Sequence, residues 1–445
     1  YCSNRPLLLA LGNRCLCAEM MSRARVLKGA GVLGAAALGV GYVQRLPKKK
    51  EDHHVAWSQS MGTRLYMDFA LPLILCTDPE TAHNLTLRCG EAVQALREMV
   101  PSSIPAAWLL QPEAAVLQGP SLQQRLMGLN FESPVGIAAG FDKNALLVPL
   151  YRSGFLGLGF AEIGSVSAQP AKGNAQPRCW RIPSDDVVIN AMGLNNDGAE
   201  AIAEKLRGLK EKQAASGRPV GVNIAKTHDP NILGAAAVED FAQSFRLLAP
   251  LADFVVLNVS CPNTTEGKTF EEPSALAELL HAVAAERRQV FGTGATPPVL
   301  VKLMATPDDE EGRALQKELL KVIEDSSIVD GLVISNTIKN PEAKLSKKGR
   351  EEADAIGKGG VSGRVIHKRS VAAIRSAYQA TGGRLTIIGV GGTDSAEAAY
   401  EKIRAGASLV EVYTGLVYKG PGLLDDLQTG LRRLLERDGF ASVQE

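Results

Sequence analysis

The chain has 445 residues and a formal net charge of +1, with 45% hydrophobic and 22% charged residues. That ordinary, near-neutral balance argues against a nucleic-acid partner, which would favour a clustered basic surface. The seven cysteines are odd in number, irregularly spaced and free of any C-x-x-C, which argues against a disulfide framework or a structural zinc site.

Residues 1–50 carry nine Lys/Arg and one acid, Glu19, with Arg5, Arg14, Arg23 and Arg25 spread among small and apolar residues. This pattern predicts a mitochondrial presequence. Within it, residues 29–43 are uncharged and followed by Arg45 and Lys48–Lys50. They predict a short membrane anchor, although fifteen residues fall short of the roughly 20 that span a bilayer comfortably.

Residues 51–110 predict a helical cap. In its first helix, 57–73, Trp57, Met61, Leu65, Phe69 and Leu73 recur every four residues, and Pro72 marks its end region. A second helix starts at Asp78-Pro79, a cap residue followed by proline at the first helical position, with a stripe of Ala82, Leu85, Cys89, Val93 and Leu96. Periodicity leaves two readings open. The hairpin packs on the main domain, or it dips into a membrane surface and encloses a groove for an apolar ligand.

Residues 111–445 are expected to form one catalytic domain. Eight short apolar runs alternate with helical stretches: 134–140, 160–165, 219–225, 252–260, 297–303, 330–336, 384–392 and 407–414. They are rich in Val and Ile, as strands buried on both faces should be. Eight β-then-α units predict a (β/α)₈ TIM barrel. An open doubly wound sheet is the rival, but no G-x-G-x-x-G opens a helix after the first strand. The charged stretch 339–358 is expected to be a solvated, mobile loop.

In such a barrel the site lies where strands end. The first run leads into Asp142, Lys143 and Asn144; the fourth ends Asn258-Val259-Ser260-Cys261-Pro262-Asn263; the fifth carries Lys302. Converging amides, two lysines and a thiol suit a planar ligand bearing several carbonyls and an anionic group. The glycine-rich GVGG after strand seven and YTG after strand eight are placed to expose backbone N–H groups to a phosphate.

Together the motifs GIAAGFDKN, AEIGSVSAQPAKGNAQPRCWRIP, NVSCPN, VLVK, ISNT, IIGVGG and IRAGASLVEVYTGLVYKGP, in order along the barrel, resemble dihydroorotate dehydrogenase. With its basic presequence and helical cap, the chain resembles the membrane-bound, quinone-dependent class 2 enzymes. The resemblance runs from about residue 58 to the C-terminus. It implies oxidation of (S)-dihydroorotate to orotate in pyrimidine biosynthesis, with FMN taking hydride and ubiquinone reoxidising it at the mitochondrial inner membrane.

By that resemblance Ala138, Ala139, Gly140, Ser165, Asn190, Asn223, Asn258, Lys302, Ser335, Gly363, Gly392, Tyr413 and Thr414 would hold FMN. Lys143, Asn190, Asn258, Asn263, Asn336 and Thr337 would bind the pyrimidine, covered by the loop Asn190, Ala191, Met192, Gly193 and Leu194. His83, Arg181 and Tyr413 would line a quinone tunnel. Cys261 occupies the general-base position, where a thiol with a reference pKa of about 8.5 needs only a modest shift to act. Two features point instead to the soluble class 1 enzymes: cysteine rather than serine at 261, and Leu194 where class 2 has an aromatic. The alternatives are therefore a fumarate-dependent enzyme of the same family and a phosphate-binding barrel enzyme without flavin.

Overall fold

The computed structural model describes residues 63–64, 66–99, 120–154, 157–212, 217–260, 270–306 and 309–445. The expected presequence and anchor, the first residues of the cap, Cys261 and Asn263 lie outside the described residues.

A π-helical segment, Tyr66–Ala70, runs directly into α1 (Leu71–Leu75). Pro72 lies in the end region, as expected: it sits in the first turn of the short α segment, where the proline's missing N–H costs least, and the helix ends at Leu75. α2 (Pro79–Met99) starts as expected, with the Asp78 carboxylate accepting the Thr81 N–H at 2.8 Å. Its stripe is divided. Ala82, Cys89 and Val93 border the cavity together with His83 and Gly90, Leu87 is buried, and Leu85 and Leu96 are exposed. Gly90 allows a close approach there, since a Cβ would stand 2.7 Å from the end of the Leu147 side chain. Among the described residues no helix is long and apolar enough to cross a membrane.

An antiparallel hairpin follows, β1 (Gln124–Leu126) with β2 (Leu129–Phe131), and then β3 (Val135–Ile137) and α3 (Val148–Arg152). β4 (Phe160–Val166) leads into an excursion containing β5 (Cys179–Ile182) and β6 (Val187–Asn190), and α4 (Ala199–Lys212) returns the chain to the barrel. β7 (Val220–Ile224), α5 (Ala235–Leu248), β8 (Phe254–Asn258), α6 (Pro273–Phe291), β9 (Val299–Leu303), α7 (Glu310–Ser326) and β10 (Gly331–Ile334) alternate regularly. A second excursion carries β11 (Ile338–Lys339), α8 (Lys347–Ile356) and β12 (Gly360–Gly363). The chain closes with α9 (His367–Thr381), β13 (Thr386–Gly389), α10 (Ala396–Arg404), β14 (Leu409–Val412), α11 (Thr414–Lys419) and α12 (Leu423–Asp438).

Eight parallel strands close in the order β10-β13-β14-β3-β4-β7-β8-β9, so the sheet is a barrel and not an open one. Each of the eight apolar runs supplies one strand. Phe131 of the hairpin packs with Phe160, Phe254, Val256, Leu300, Val333, Ile388 and Leu409 in one buried cluster inside it. Gly136 and Gly221 leave room for two of these rings. A Cβ at either would stand within 2.5 Å of the Phe160 or Phe254 ring.

The segment 339–358 corrects the expectation of a mobile loop. Ser346 caps α8 through its hydroxyl, which accepts the Gly349 N–H at 3.1 Å, and Gly357 ends it with φ +68°. Ala353 packs with Ile338, Ala343, Val361, Ile182 and Ile189 in a second small core. This core supports an antiparallel sheet of β11, β12, β6 and β5, built from both excursions. The charges are the outer face of an amphipathic helix.

Candidate active site

Every second residue of a barrel strand faces inward. One step above Phe160, Leu300 and Leu409 stand Glu162, Lys302 and Glu411, with Asn223 beside them, all buried. Lys302 Nζ lies 3.1 Å from Glu162 Oε1 and 4.0 Å from Glu411 Oε2. Asn223 donates to Glu162 Oε1 at 2.6 Å. Burial opposes the Lys302 charge, but the two carboxyls more than offset it and hold the ammonium's pKa above the usual lysine value.

Above this floor opens a cavity of about 510 Å³, within the usual range of roughly 300–1,000 Å³ for ligand sites. Ala138, Ala139, Gly140, Ser165, Asn258, Lys302 and Ser335 line it from the strand ends. One wall is a hydrogen-bonded chain that fixes the amides. Asn258 donates to Ser165 at 3.1 Å, Ser260 donates to Asn258 Oδ1 at 3.0 Å, and Asn336 donates to the Ser260 hydroxyl at 3.1 Å. The Thr337 N–H in turn donates to Asn336 Oδ1 at 2.8 Å, so the Asn336 amide is oriented from both ends. At the opposite end Gly391 and Gly392 have φ of +100° and +70°, and Gly363, Tyr413 and Thr414 complete the lining. Gly392 is required, since a Cβ would stand 2.7 Å from His367. Asn190, Met192, Gly193 and Leu194 form an upper rim with Lys143 and Thr337.

Asn223 is buried beside Lys302, donating to Glu162 while its own Oδ1 meets no partner, and Ala191 is buried with its carbonyl accepting from Asn174 at 2.8 Å.

The cavity continues under the cap. Ile74, Ala82, Val93, Leu147, Leu150 and Leu424 give it apolar walls. At the junction three rings meet. Phe141 lies 5.5 Å from His83 and 5.7 Å from Tyr413, both nearly edge-to-face, and His83 lies 6.4 Å from Tyr413. Burial, assisted by the nearby Lys143 cation, pushes the His83 pKa down to about 4, so its ring is neutral at physiological pH. Burial likewise raises the Tyr413 phenol above its ordinary value.

The cap is tied down by polar contacts. Arg181 donates to the carbonyl of Ile74 at 2.7 Å and to that of Thr77, satisfying the end of α1 while bordering the tunnel. Tyr66 donates to the Val417 carbonyl at 2.8 Å, and Thr63 to Asp426 at 2.8 Å. Burial pulls the Lys143 ammonium below the usual lysine range, with Glu80 acting in the opposite direction.

Residues 121–435 match the family described as dihydroorotate dehydrogenase. The chain belongs to the dihydroorotate dehydrogenase family. The dihydroorotate dehydrogenase (quinone) of Deinococcus deserti is 39% identical over 383 residues, covering 86% of this chain and 98% of that protein. The mitochondrial dihydroorotate dehydrogenase (quinone) of Mus musculus is 35% identical over 431 residues, covering 95% and 96%. The crystal structure of Eimeria tenella DHODH in complex with ferulenol matches with a TM-score of 0.69 at 27% identity, covering 84% of this chain and 97% of that one.

In this dihydroorotate dehydrogenase family member, Glu162 and Glu411 lie within the motifs AEIGS and VEVYTG, and the period of two that places Lys302 inside the barrel places both carboxyls there too. The contacts of Phe141 with Tyr413 and of Arg178 with Glu80 carry no sequence signal, because the partners lie on distant segments.

Proposed function

We propose that this protein oxidises (S)-dihydroorotate to orotate in pyrimidine biosynthesis, with FMN as the resident cofactor and ubiquinone as the electron acceptor. The observation that carries this reading is one continuous cavity. It joins the polar strand-end pocket to an apolar tunnel under the cap, with Phe141, His83 and Tyr413 at the junction. A water-soluble oxidant would not need the apolar arm.

The pocket fits FMN. The glycine loop at 391–392 leaves room for a phosphate beside Thr414, and Lys302 stands at the floor where a ring system would rest. When bound, FMN supplies the two-electron relay between the pyrimidine and the quinone. Lys302 places positive charge beneath that relay. Asn258 and Asn336, held by Ser165, Ser260 and Thr337, orient the pyrimidine carbonyls, and Lys143 pairs with its carboxylate. Cys261 follows Ser260 directly in the chain and is our choice for the base that takes the proton from carbon 5. The neutral His83 imidazole gives the tunnel a polar contact for a quinone carbonyl without a buried charge.

We place the protein at the mitochondrial inner membrane. The Arg-rich residues 1–50 support this, as do Phe69, Leu73, Leu85 and Leu96, which expose large apolar side chains on the cap. The test is anaerobic stopped-flow spectroscopy. Dihydroorotate should bleach the bound flavin, and a short-chain ubiquinone should restore its colour faster than fumarate or NAD. Faster recovery with fumarate would move the protein to the soluble type, and a chain that never takes up FMN would overturn the flavin assignment.

A further inference from the structure

The floor of the barrel holds two carboxyl groups and one cation. Glu162 is the better provided for as an anion, since Lys302 and Asn223 both donate to its Oε1, while its buried Oε2 meets no donor. Glu411 is wholly buried, neither of its oxygens meets a hydrogen-bond donor, and the nearest cation, Lys302 at 4.0 Å, is already engaged by Glu162. The neighbours offer no relief. The position paired with Glu411 on β3 is Gly136, and Asn223 on β7 carries no charge. Glu162 and Lys302 are the ionisable groups that act on the Glu411 carboxyl. Two ionised carboxylates on a single ammonium would leave one uncompensated charge inside the barrel, and an isolated buried carboxylate takes up a proton rather than bear that cost.

We propose that Glu162 and Glu411 hold one proton between them, so that Lys302 faces a single negative charge and the three buried groups are together neutral. Two carboxyls sharing a site cannot both ionise, and the proton belongs to the pair rather than to either residue. Burial and the Glu162 charge push the Glu411 carboxyl well above the usual carboxylate range, in keeping with this geometry. Glu411 also borders the cavity with Lys302. The inference rests on the FMN reading for its consequence. A neutral floor leaves the Lys302 charge free to stabilise a reduced, anionic ring above it, and a second carboxylate would oppose that ring. Glu411 is thus a positioning residue, acting through Lys302.

Two measurements test this. Infrared spectra of the full chain, with and without FMN, should contain a protonated-carboxyl band that moves on transfer to D2O. Either Glu411→Gln or Glu162→Gln should remove this component, read in unaltered-minus-variant difference spectra so that other buried carboxyls such as Glu271 cancel, because each leaves one carboxyl that ionises against Lys302. A carboxyl protonated for reasons of its own would lose its band in one variant and keep it in the other, which overturns the sharing. Absence of the band from the unaltered chain overturns the proposal outright. The second measurement is the flavin midpoint potential. Both single variants should match the unaltered protein, and the double variant, with no negative charge at the floor, should shift upward. A single variant that shifts upward would mean both carboxyls were ionised and would overturn the proposal. The band is read on the FMN-free chain too, so a chain that binds no flavin would defeat the functional reading and leave the shared proton standing. If the double variant fails to fold, the band and the two single variants decide.

Discussion

Arg178 grips Glu80 with two edges of its guanidinium, Nη2 standing 2.6 Å from Oε1 and Nε 3.1 Å from Oε2. Glu80 lies in the first turn of α2 and Arg178 immediately before β5, so the pair fastens the cap to the rim of the site. The remaining Arg178 donors go to the carbonyls of Lys172 and Asn174.

Glu80→Ala strands that guanidinium. Breaking one side of a largely buried pair costs on the order of 3 kcal/mol, so a melting experiment should show clear destabilisation. The kinetic consequence should be selective. KM for ubiquinone rises as the tunnel loosens, and flavin reduction by dihydroorotate stays fast. Hydrogen bonding to Arg178 holds the Glu80 carboxyl below its ordinary 4.5. The stabilisation is therefore complete above that pH and is lost as pH falls through the lowered value. An unchanged quinone KM would remove the pair from tunnel assembly.

His83 titrates with the opposite consequence from a paired histidine. Its folded pKa of about 4 lies below 6.5, so the unfolded chain binds the proton first on acidification. Stability should fall as pH drops from about 6.5 towards 4, by roughly 3 kcal/mol at most. His83→Gln should flatten that part of the stability profile. A matching profile in the variant would show that another group is responsible.

Cys261→Ala should lower turnover by about 10²–10⁴-fold, the usual worth of a general base, with FMN retained. Cys261→Ser should keep part of the activity with its pH optimum moved upward, since a hydroxyl is the weaker acid. Unchanged turnover in the alanine variant would take Cys261 out of the mechanism.

Gly420→Ala meets the Tyr66 ring, 2.2 Å from where a Cβ would stand, at a residue with φ +70°. Overpacking of this kind costs about 1–3 kcal/mol. The Tyr66–Val417 hydrogen bond should be lost and quinone turnover should fall before dihydroorotate oxidation does. Full quinone activity in a folded variant would show that the tunnel does not depend on how Tyr66 seats.

Replacing Leu85 and Leu96 by Gln tests the outer face of the cap. They are 60% and 47% exposed and eleven residues apart, hence on one side of α2. Binding to phospholipid vesicles should weaken, with turnover of a water-soluble short-chain quinone unaltered. Vesicle binding equal to that of the unaltered chain would place the membrane contact elsewhere.

The sequence by itself determined the barrel and the ends of its strands. Runs of Val and Ile buried on both faces, and glycines such as Gly391 and Gly392, are local signals, and each is set by burial or by backbone conformation at its own position. Tertiary structure decided what those signals face. The stripe of Ala82, Leu85, Cys89, Val93 and Leu96 was legible, yet only Ala82, Cys89 and Val93 border the cavity, while Leu85 and Leu96 stay exposed. The charged stretch around α8 became an ordered helix because Ala353 found a core made by Ile182 and Ile189 on the other excursion. Lys302 and Glu162 are 140 residues apart, and Glu411 is more distant still from Glu162. No local pattern announces a charge cluster whose members come from three strands. Only closure of the sheet brings them into one dry interior, and there the dielectric, not the motif, dictates which of them keeps a charge.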